Sequence, residues 1–541
     1  MGRLAALRDR MGKLPWFAIV AAALVLVRFA HLGETIDGPH SGRQCDTAFY
    51  ALDFYRSGLN LLRPSVCWLG AHKALALEFP LPEAITAALY HLLGPRILWA
   101  RLVTLAFFLG AVWFLHCIVA YVQGERTARL VTLLYLAIPL AMVYSRAVHV
   151  DFAAVFFAHG MLYCLLRGYD SGRTTLVAAA GILGAFAFAI KAPYAFFLAL
   201  PFALSVLRQP KWRQLLKWSP WLALPIVAFA LWRHHAWRLN DSAPDLSFIP
   251  NYFKFTDMGH WYYGPLAMRL DPRTWLSLGY RTLKVIPGAL GLYFLALGLL
   301  APRTTPLPSS QGAGGGPHDS PTLTPTLSLE GRGGTRGGGA AFFALWLLGA
   351  GVSLLIFFKL NVIHDYYQIP FIAPIAYFIA QGLEWAFLDR PRRPGLRGLL
   401  PFALTMAVLL AKYVHTAEVT YYDVDEVTIS AGAQIRENTP RNALVIASVG
   451  GGKQAWWFDP RLLYRADRLG WSVPLVDLGP AVWEGLKPHG ATHIAILSDQ
   501  PIPVPLLDAL APFPPRVVEL PHKPWALYLY SLAPPPSAPD K

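Results

Sequence analysis

The sequence predicts a polytopic α-helical membrane protein of about 11 transmembrane helices, followed by a small α/β domain. Three observations carry that expectation. The chain of 541 residues is 55% hydrophobic but only 15% charged, whereas a soluble domain averages about 25% charged. Its apolar residues come in blocks such as AIVAAALVLV (18–27), LVTLAFFLGAVWFLHCIVAYV (102–122) and FALWLLGAGVSLLIFF (343–358). A helix needs about 20 mostly apolar residues to cross the hydrocarbon. Beyond residue 415 the texture changes to short β-branched and aromatic runs, which read as strands.

The elements follow in order. Span 1 covers 15–31 and is preceded by Arg3, Arg8, Arg10 and Lys13. It lacks a small-residue cleavage site and reads as a signal anchor with a cytoplasmic N-terminus. Residues 32–96 form a long first outer loop. Span 2 (97–122) leads through the basic turn GERTAR (124–129) to span 3, which runs to 144. Span 4 covers 150–166, and RGYDSGR (167–173) is basic again. Spans 5 and 6 form a hairpin over 174–208, broken at Lys191-Ala192-Pro193. RQPKWRQLLK (208–217) precedes span 7 (219–236). A second outer loop covers 237–280, and span 8 covers 281–301. Residues 302–340 are rich in Gly, Pro, Ser and Thr and read as a disordered cytoplasmic linker, too poor in apolar surface to fold. Spans 9, 10 and 11 follow at 341–358, 368–388 and 399–415, with RPRRPGLR (390–397) between the last two.

Every short basic loop falls on one side of this arrangement, as the positive-inside rule requires. The net charge of +15 is thereby explained without nucleic acid. The chain divides into a membrane module (1–301), the linker (302–340), three further spans (341–415) and an extracytoplasmic domain (416–541). In that domain ALVIASVG (443–450), THIAILSD (492–499) and WALYLYSL (525–532) read as strands. GAQIRENTP (432–440) reads as a helix ending before proline. Cys45 and Cys67 share the first outer loop; the sequence leaves open whether they form a disulfide.

The spans are nearly free of charge, since an aspartate at a helix centre costs about 2.5–3.5 kcal/mol to insert. The ionisable residues gather instead at outer span ends. Asp46 (in RQCDTAFY, with Arg43) and Glu78 (in LEFPLPEA) lie in the first outer loop. Asp151 opens span 4 in SRAVHVDF. Lys191 marks the turn of the span 5/6 hairpin. His364, Asp365, Tyr366 and Tyr367 begin span 10 in NVIHDYYQIP. Each has a structural alternative. Asp46 can cap an amphipathic helix, Glu78 can be a solvated acid, and Asp151 can pair with Arg146 or His149. Lys191 can snorkel, and Tyr366 and Tyr367 can belong to an aromatic belt. Their shared membrane face favours a common cavity. No Walker A loop, GxSxG elbow, HExxH or paired CxxC competes, which argues against nucleotide-driven chemistry. QAWWFDP (454–460) reads as packing within the last domain.

The motifs CDTAFYALDFYRSG, EFPLPEAITAALYHLLGP, RLVTLAFFLGAV, SRAVHVDF, IKAPYAFF and HDYYQIPFIAP, in that order and topology, resemble the C-type glycosyltransferases that use polyprenyl-phosphate sugars. The likeness is to the bacterial branch related to protein O-mannosyltransferases and the lipid A aminoarabinose transferase. The resemblance implies an inverting transferase of the bacterial inner membrane that moves a sugar from a polyprenyl phosphate to an acceptor hydroxyl of a glycan, lipid or protein on the extracytoplasmic side. It implies Asp46 as the base, with Asp151 and Glu78 as further catalytic acids. Lys191 is then the phosphate partner, and Arg43, His364, Tyr366 and Tyr367 are substrate-binding. Cys45 stands before Asp46 where relatives have other neighbours. Some relatives bind a divalent metal through a first-loop glutamate and a later histidine; Glu78 and His260 are the matching pair. The alternative function class is a transporter or flippase of a lipid-linked saccharide, which would place ionisable groups near the midplane.

Overall fold

The computed structural model describes residues 16–33, 35, 36, 38, 40–300, 336–389, 396–451 and 457–532. Arg3, Arg8, Arg10 and Lys13, residues 302–335 of the linker, residues 390–395 of RPRRPGLR and Gln454–Trp456 lie outside the described residues.

Among the described residues seven helices are long and apolar enough to cross a membrane. They are Ile97–Val122, Asp151–Ser171, Thr174–Tyr194, Trp212–Asp241, Gly338–Ile356, Asp365–Phe387 and Leu399–Tyr421. The other expected spans are present in altered form. The first is the short apolar helix Trp16–Phe29, and the sixth is Phe196–Arg208. The third divides into Glu125–Ala137 and Pro139–Tyr144, because Pro139 has no amide hydrogen with which to continue the ladder. The eighth departs most from expectation. Pro272–Val285 and Gly288–Leu300 meet at 94°, the break falling at Ile286-Pro287, where proline again ends the preceding helix. Only the second half continues the bundle. Gly288–Leu300 crosses Ile372–Phe387 at Gly298 and Gly382, where an added Cβ on either residue would run into the facing carbonyl of Phe378 or Phe294. The helices approach this closely because both positions lack side chains.

The membrane core is one cluster of buried apolar residues, including Leu105, Leu134, Phe152, Trp346, Ile379 and Leu383. A second cluster joins both outer loops to the C-terminal domain. Phe49, Tyr50 and Trp68 come from the first loop, Leu246 and Ile249 from the second, and Ile446, Trp471 and Ile494 from the domain.

That domain opens with the helix Glu426–Asn438, capped by Asp425 accepting from the Thr428 amide. Its strands are β1 Leu444–Val449, β2 Leu469–Ser472, β3 His493–Ser498, β4 Arg516–Glu519 and β5 Ala526–Ser531. The order is β2-β1-β3-β5-β4, with β1 parallel to β2 and β3 and β5 antiparallel to β3 and β4. The three expected strands are β1, β3 and β5. β2 and β4 are four residues each, too short for alternation to declare them. The first outer loop extends this sheet: the Gly70 amide donates to the Gly470 carbonyl at 2.7 Å and the Gly470 amide to the Cys67 carbonyl at 2.9 Å. Cys45 and Cys67 are free and buried, so the possible disulfide is not formed.

Candidate functional site

The helix Ser41–Ser57 is buried without a break from Gln44 to Ala51, packed on the helix Leu81–Leu93 of the first loop and on the C-terminal domain. Arg43 and Asp46 are three residues apart on it, hence on one face. Asp46 Oδ1 accepts from the indole nitrogen of Trp68 at 2.9 Å, and Oδ2 lies 3.9 Å from the Arg43 guanidinium. Burial pushes the Asp46 carboxyl up to about 7, against the opposing pull of Arg43 and of the Trp68 hydrogen bond. Arg43 also donates to Glu78, which comes from the extended segment ahead of the helix Leu81–Leu93.

Lys191 ends the helix Thr174–Lys191. Its ammonium donates to Asp151 Oδ1 at 2.7 Å and lies over the rings of Tyr367, Tyr366 and Tyr194 at 4.4, 4.6 and 5.0 Å. Three aromatic faces and one carboxylate fix a single rotamer of an otherwise flexible side chain. Asp151 begins the neighbouring helix Asp151–Ser171, and is wholly buried between Lys191 and His149.

These groups surround a cavity of about 660 Å³. Its wall holds Arg43, Asp46, Glu78, Lys191, His364, Tyr366 and Tyr367, so seven of the eight site residues expected from the sequence share one chamber. Asp151 is the exception: it does not line the cavity, because its carboxylate turns inward to hold Lys191. Of the pairings the sequence allows Asp151, the one with His149 is present. Glu78 lines the wall but is tied to Arg43, which makes it an orienting partner of that guanidinium.

The sequence reading missed other parts of the wall. His40, Trp68, Arg233, Trp261 and Tyr262 belong to it, as do Phe458, Asp459 and Arg461 of the C-terminal domain. Trp457 packs not within its own domain, as QAWWFDP suggested, but against Trp68 of the first outer loop with ring centroids 5.5 Å apart, and Phe458 and Asp459 line the cavity. Asp459 is held by Arg461 at 2.6 Å. Nothing in the local sequence distinguishes these residues from ordinary loop residues.

The metal expectation finds no support in the donor set. Glu78 is bound by Arg43, and His260 stands edge-on to Phe253 at 4.9 Å. Among the described residues no group of three or more His, Cys, Asp or Glu side chains is placed to hold a metal ion. The residues present therefore do not fit a metal centre.

Residues 78–237 match the family described as dolichyl-phosphate-mannose-protein mannosyltransferase. No curated protein sequence matches the chain. Solved structures do. ArnT from Cupriavidus metallidurans, bound to undecaprenyl phosphate, superposes with a TM-score of 0.57 at 15% identity, over 95% of this chain and 98% of that one. The oligosaccharyltransferase AglB from Archaeoglobus fulgidus, in complex with an inhibitory peptide and a dolichol-phosphate, gives 0.55 at 12% identity, over 90% of this chain and 69% of that one. The arabinofuranosyltransferase AftD from Mycobacteria gives 0.53 at 15%, over 95% and 41%. The fold is that of the C-type glycosyltransferases. The chain is thus similar in fold to these transferases and, over residues 78–237, in sequence to the mannosyltransferase family.

Proposed function

We propose that the protein transfers a sugar from a polyprenyl phosphate to an acceptor hydroxyl at the extracytoplasmic face of the membrane, with inversion at the anomeric carbon. The observation that carries this reading is the meeting of Asp46 with Lys191 and Arg43 in one chamber at the helix ends. A carboxylate near neutrality and fixed cations are what the reaction needs. The acceptor oxygen attacks the anomeric carbon from the side opposite the phosphate, and the new C–O bond forms as the bond to the phosphate oxygen breaks. Asp46 takes the hydroxyl proton. The departing polyprenyl phosphate gains a negative charge, which Lys191 and Arg43 stabilise. Asp151 holds Lys191, Glu78 holds Arg43, and Tyr366, Tyr367 and His364 shape the wall around the sugar.

The sidedness rests on charge. The helix Thr174–Lys191 starts at the basic turn RGYDSGR and ends at the cavity, so the chamber lies on the face opposite the basic turns. The positive-inside rule makes that face extracytoplasmic. Related structures hold undecaprenyl phosphate and dolichol-phosphate, which supports a polyprenyl-phosphate donor here.

The test is a transfer assay in nanodiscs, with a panel of undecaprenyl-phosphate sugars and envelope glycolipids as acceptors. Wild type should transfer one of the sugars. Asp46→Asn should lose about 10²–10⁴-fold in rate while binding undecaprenyl phosphate normally. Transfer by D46N at near the wild-type rate would remove Asp46 as the base. Failure of the wild type to bind any polyprenyl phosphate would overturn the donor class.

A further inference from the structure

From the wall inward, next to Lys191, runs a polar chain of which the transfer mechanism uses only His364, as part of the wall. Asp365, 5% exposed, accepts the phenol protons of Tyr144 at 2.6 Å and Tyr421 at 2.7 Å. His40 Nε2 approaches the same carboxylate at 3.3 Å. His40 Nδ1 in turn lies 3.2 Å from His364 Nδ1. The His364 ring stacks on Tyr366, centroids 4.9 Å apart, and both histidines line the cavity.

Hydrogen-bond complementarity fixes the protons of this chain when both rings are neutral. A carboxylate only accepts, so His40 must carry its proton on Nε2. His40 Nδ1 is then a lone pair, and the close His364 Nδ1 must donate to it. That leaves His364 Nε2 without a proton. Burial above all, then His40, Lys191 and Arg43, hold the His364 ring below the ordinary imidazole range against the pull of Asp365, and so oppose a second proton on it. The nitrogen of this cavity-lining histidine that does not face His40 is thereby made an obligate acceptor, set by a carboxylate two groups away. The same device orients metal-binding and catalytic imidazoles elsewhere.

We infer that His364 Nε2 accepts a hydrogen bond from a hydroxyl of the bound saccharide, and that Asp365 and His40 are positioning residues that fix its tautomer. This rests on the transfer reading above. A saccharide hydroxyl is the matching chemistry because it can donate to a neutral lone pair, whereas a phosphate dianion in the same place would be repelled. The hydroxyl belongs either to the sugar being transferred or to a saccharide acceptor.

The experiment combines two readouts on the full chain in nanodiscs. The first is ¹⁵N NMR of histidine-labelled wild type, with His40→Asn and His364→Gln used for assignment. The expected result is an unprotonated His364 Nε2 and a protonated His40 Nε2; the reverse tautomers overturn the inference. The second is kinetic, with the undecaprenyl-phosphate sugar that the wild type transfers. His364→Phe should raise one KM about tenfold, the worth of one lost hydrogen bond. His364→Gln, which returns an acceptor oxygen close to the Nε2 position, should stay within about threefold of wild type. A rise confined to the donor KM assigns the hydroxyl to the transferred sugar, and a rise confined to the acceptor KM assigns it to the acceptor. Unchanged KM values in the phenylalanine variant overturn the inference. Binding of bare undecaprenyl phosphate controls for folding; if the phenylalanine variant fails that control, the NMR result decides. A wild type that transfers no sugar sinks the transfer reading, while the tautomers remain measurable.

Discussion

At the scale of the residue, the chamber turns on how one carboxyl is balanced. Burial raises Asp46 to about 7, while Arg43 and the Trp68 indole pull the other way. A base works only when ionised, so kcat/KM should fall as pH drops below about 7 and level off above it. Trp68→Phe removes a hydrogen bond that favours the charged form. The midpoint of that limb should therefore move upward, by up to about one unit, and a downward shift in the pH profile would contradict this balance. Lys191 makes a separate prediction. Lys191→Met should weaken undecaprenyl phosphate binding about 10–100-fold, the range of a charge-assisted hydrogen bond, as measured by lipid titration. Asp46, Glu78, Lys191 and the His364–Tyr367 run were legible in the sequence because polar residues at the ends of apolar blocks stand out. His40, Trp68, Asp459 and Arg461 were not, because none of them stands at the end of an apolar span. Their roles come from partners far away in sequence, as when Cys67 meets the Pro460 carbonyl across 393 positions.

At the scale of the element, hydropathy located the apolar segments but not their breaks. The proline at 139 and the Ile286-Pro287 step divide what composition presents as continuous spans, since a hydropathy average does not register a missing amide hydrogen. The second break has a physical consequence. Pro272–Val285 turns 94° away from Gly288–Leu300 and exposes Leu276, Tyr280 and Leu283 at 72%, 72% and 43%. These positions are i, i+4 and i+7, one stripe of a helix. A helix so placed beside the outer end of a bundle lies in the membrane interface with that stripe toward the acyl chains. A spin label at Leu276→Cys in nanodiscs should be relaxed more by oxygen, which partitions into lipid, than by a water-soluble nickel complex. A label at Ser277→Cys, an exposed polar position about 100° round the same helix from Leu276, should show the opposite order. Equal water exposure at both sites would refute the interfacial placement.

At the scale of the whole molecule, the chamber is closed by a docking that composition alone does not reveal. The sequence shows three strands of the C-terminal domain, but not that the first outer loop hydrogen-bonds to its sheet edge. The contact is built from backbone, and backbone carries no compositional signal. Gly70 is its tightest point. Its φ is +59°, which side chains rarely adopt, and a Cβ there would collide with the Trp471 indole. The same glycine donates to Gly470, and nearby Arg56 grips Asp467 with two hydrogen bonds, at 2.6 and 3.0 Å. The loop bearing Trp68, the partner of Asp46, is thus held against the domain bearing Asp459. Gly70→Ala should loosen this seam at a cost of about 1–3 kcal/mol. The expected result is faster proteolytic release of the C-terminal domain together with a fall in transfer rate. Arg56→Ala removes only an exposed ion pair, worth about 0.2–1 kcal/mol, and should leave both nearly unchanged. If G70A sped release yet kept full transfer, the domain would be a cover rather than a wall of the chamber. If it did neither, the seam would not depend on close backbone approach at this glycine. The first outcome would also relieve Asp459 and Arg461 of any part in holding substrate, so the variant separates the fold's architecture from its chemistry.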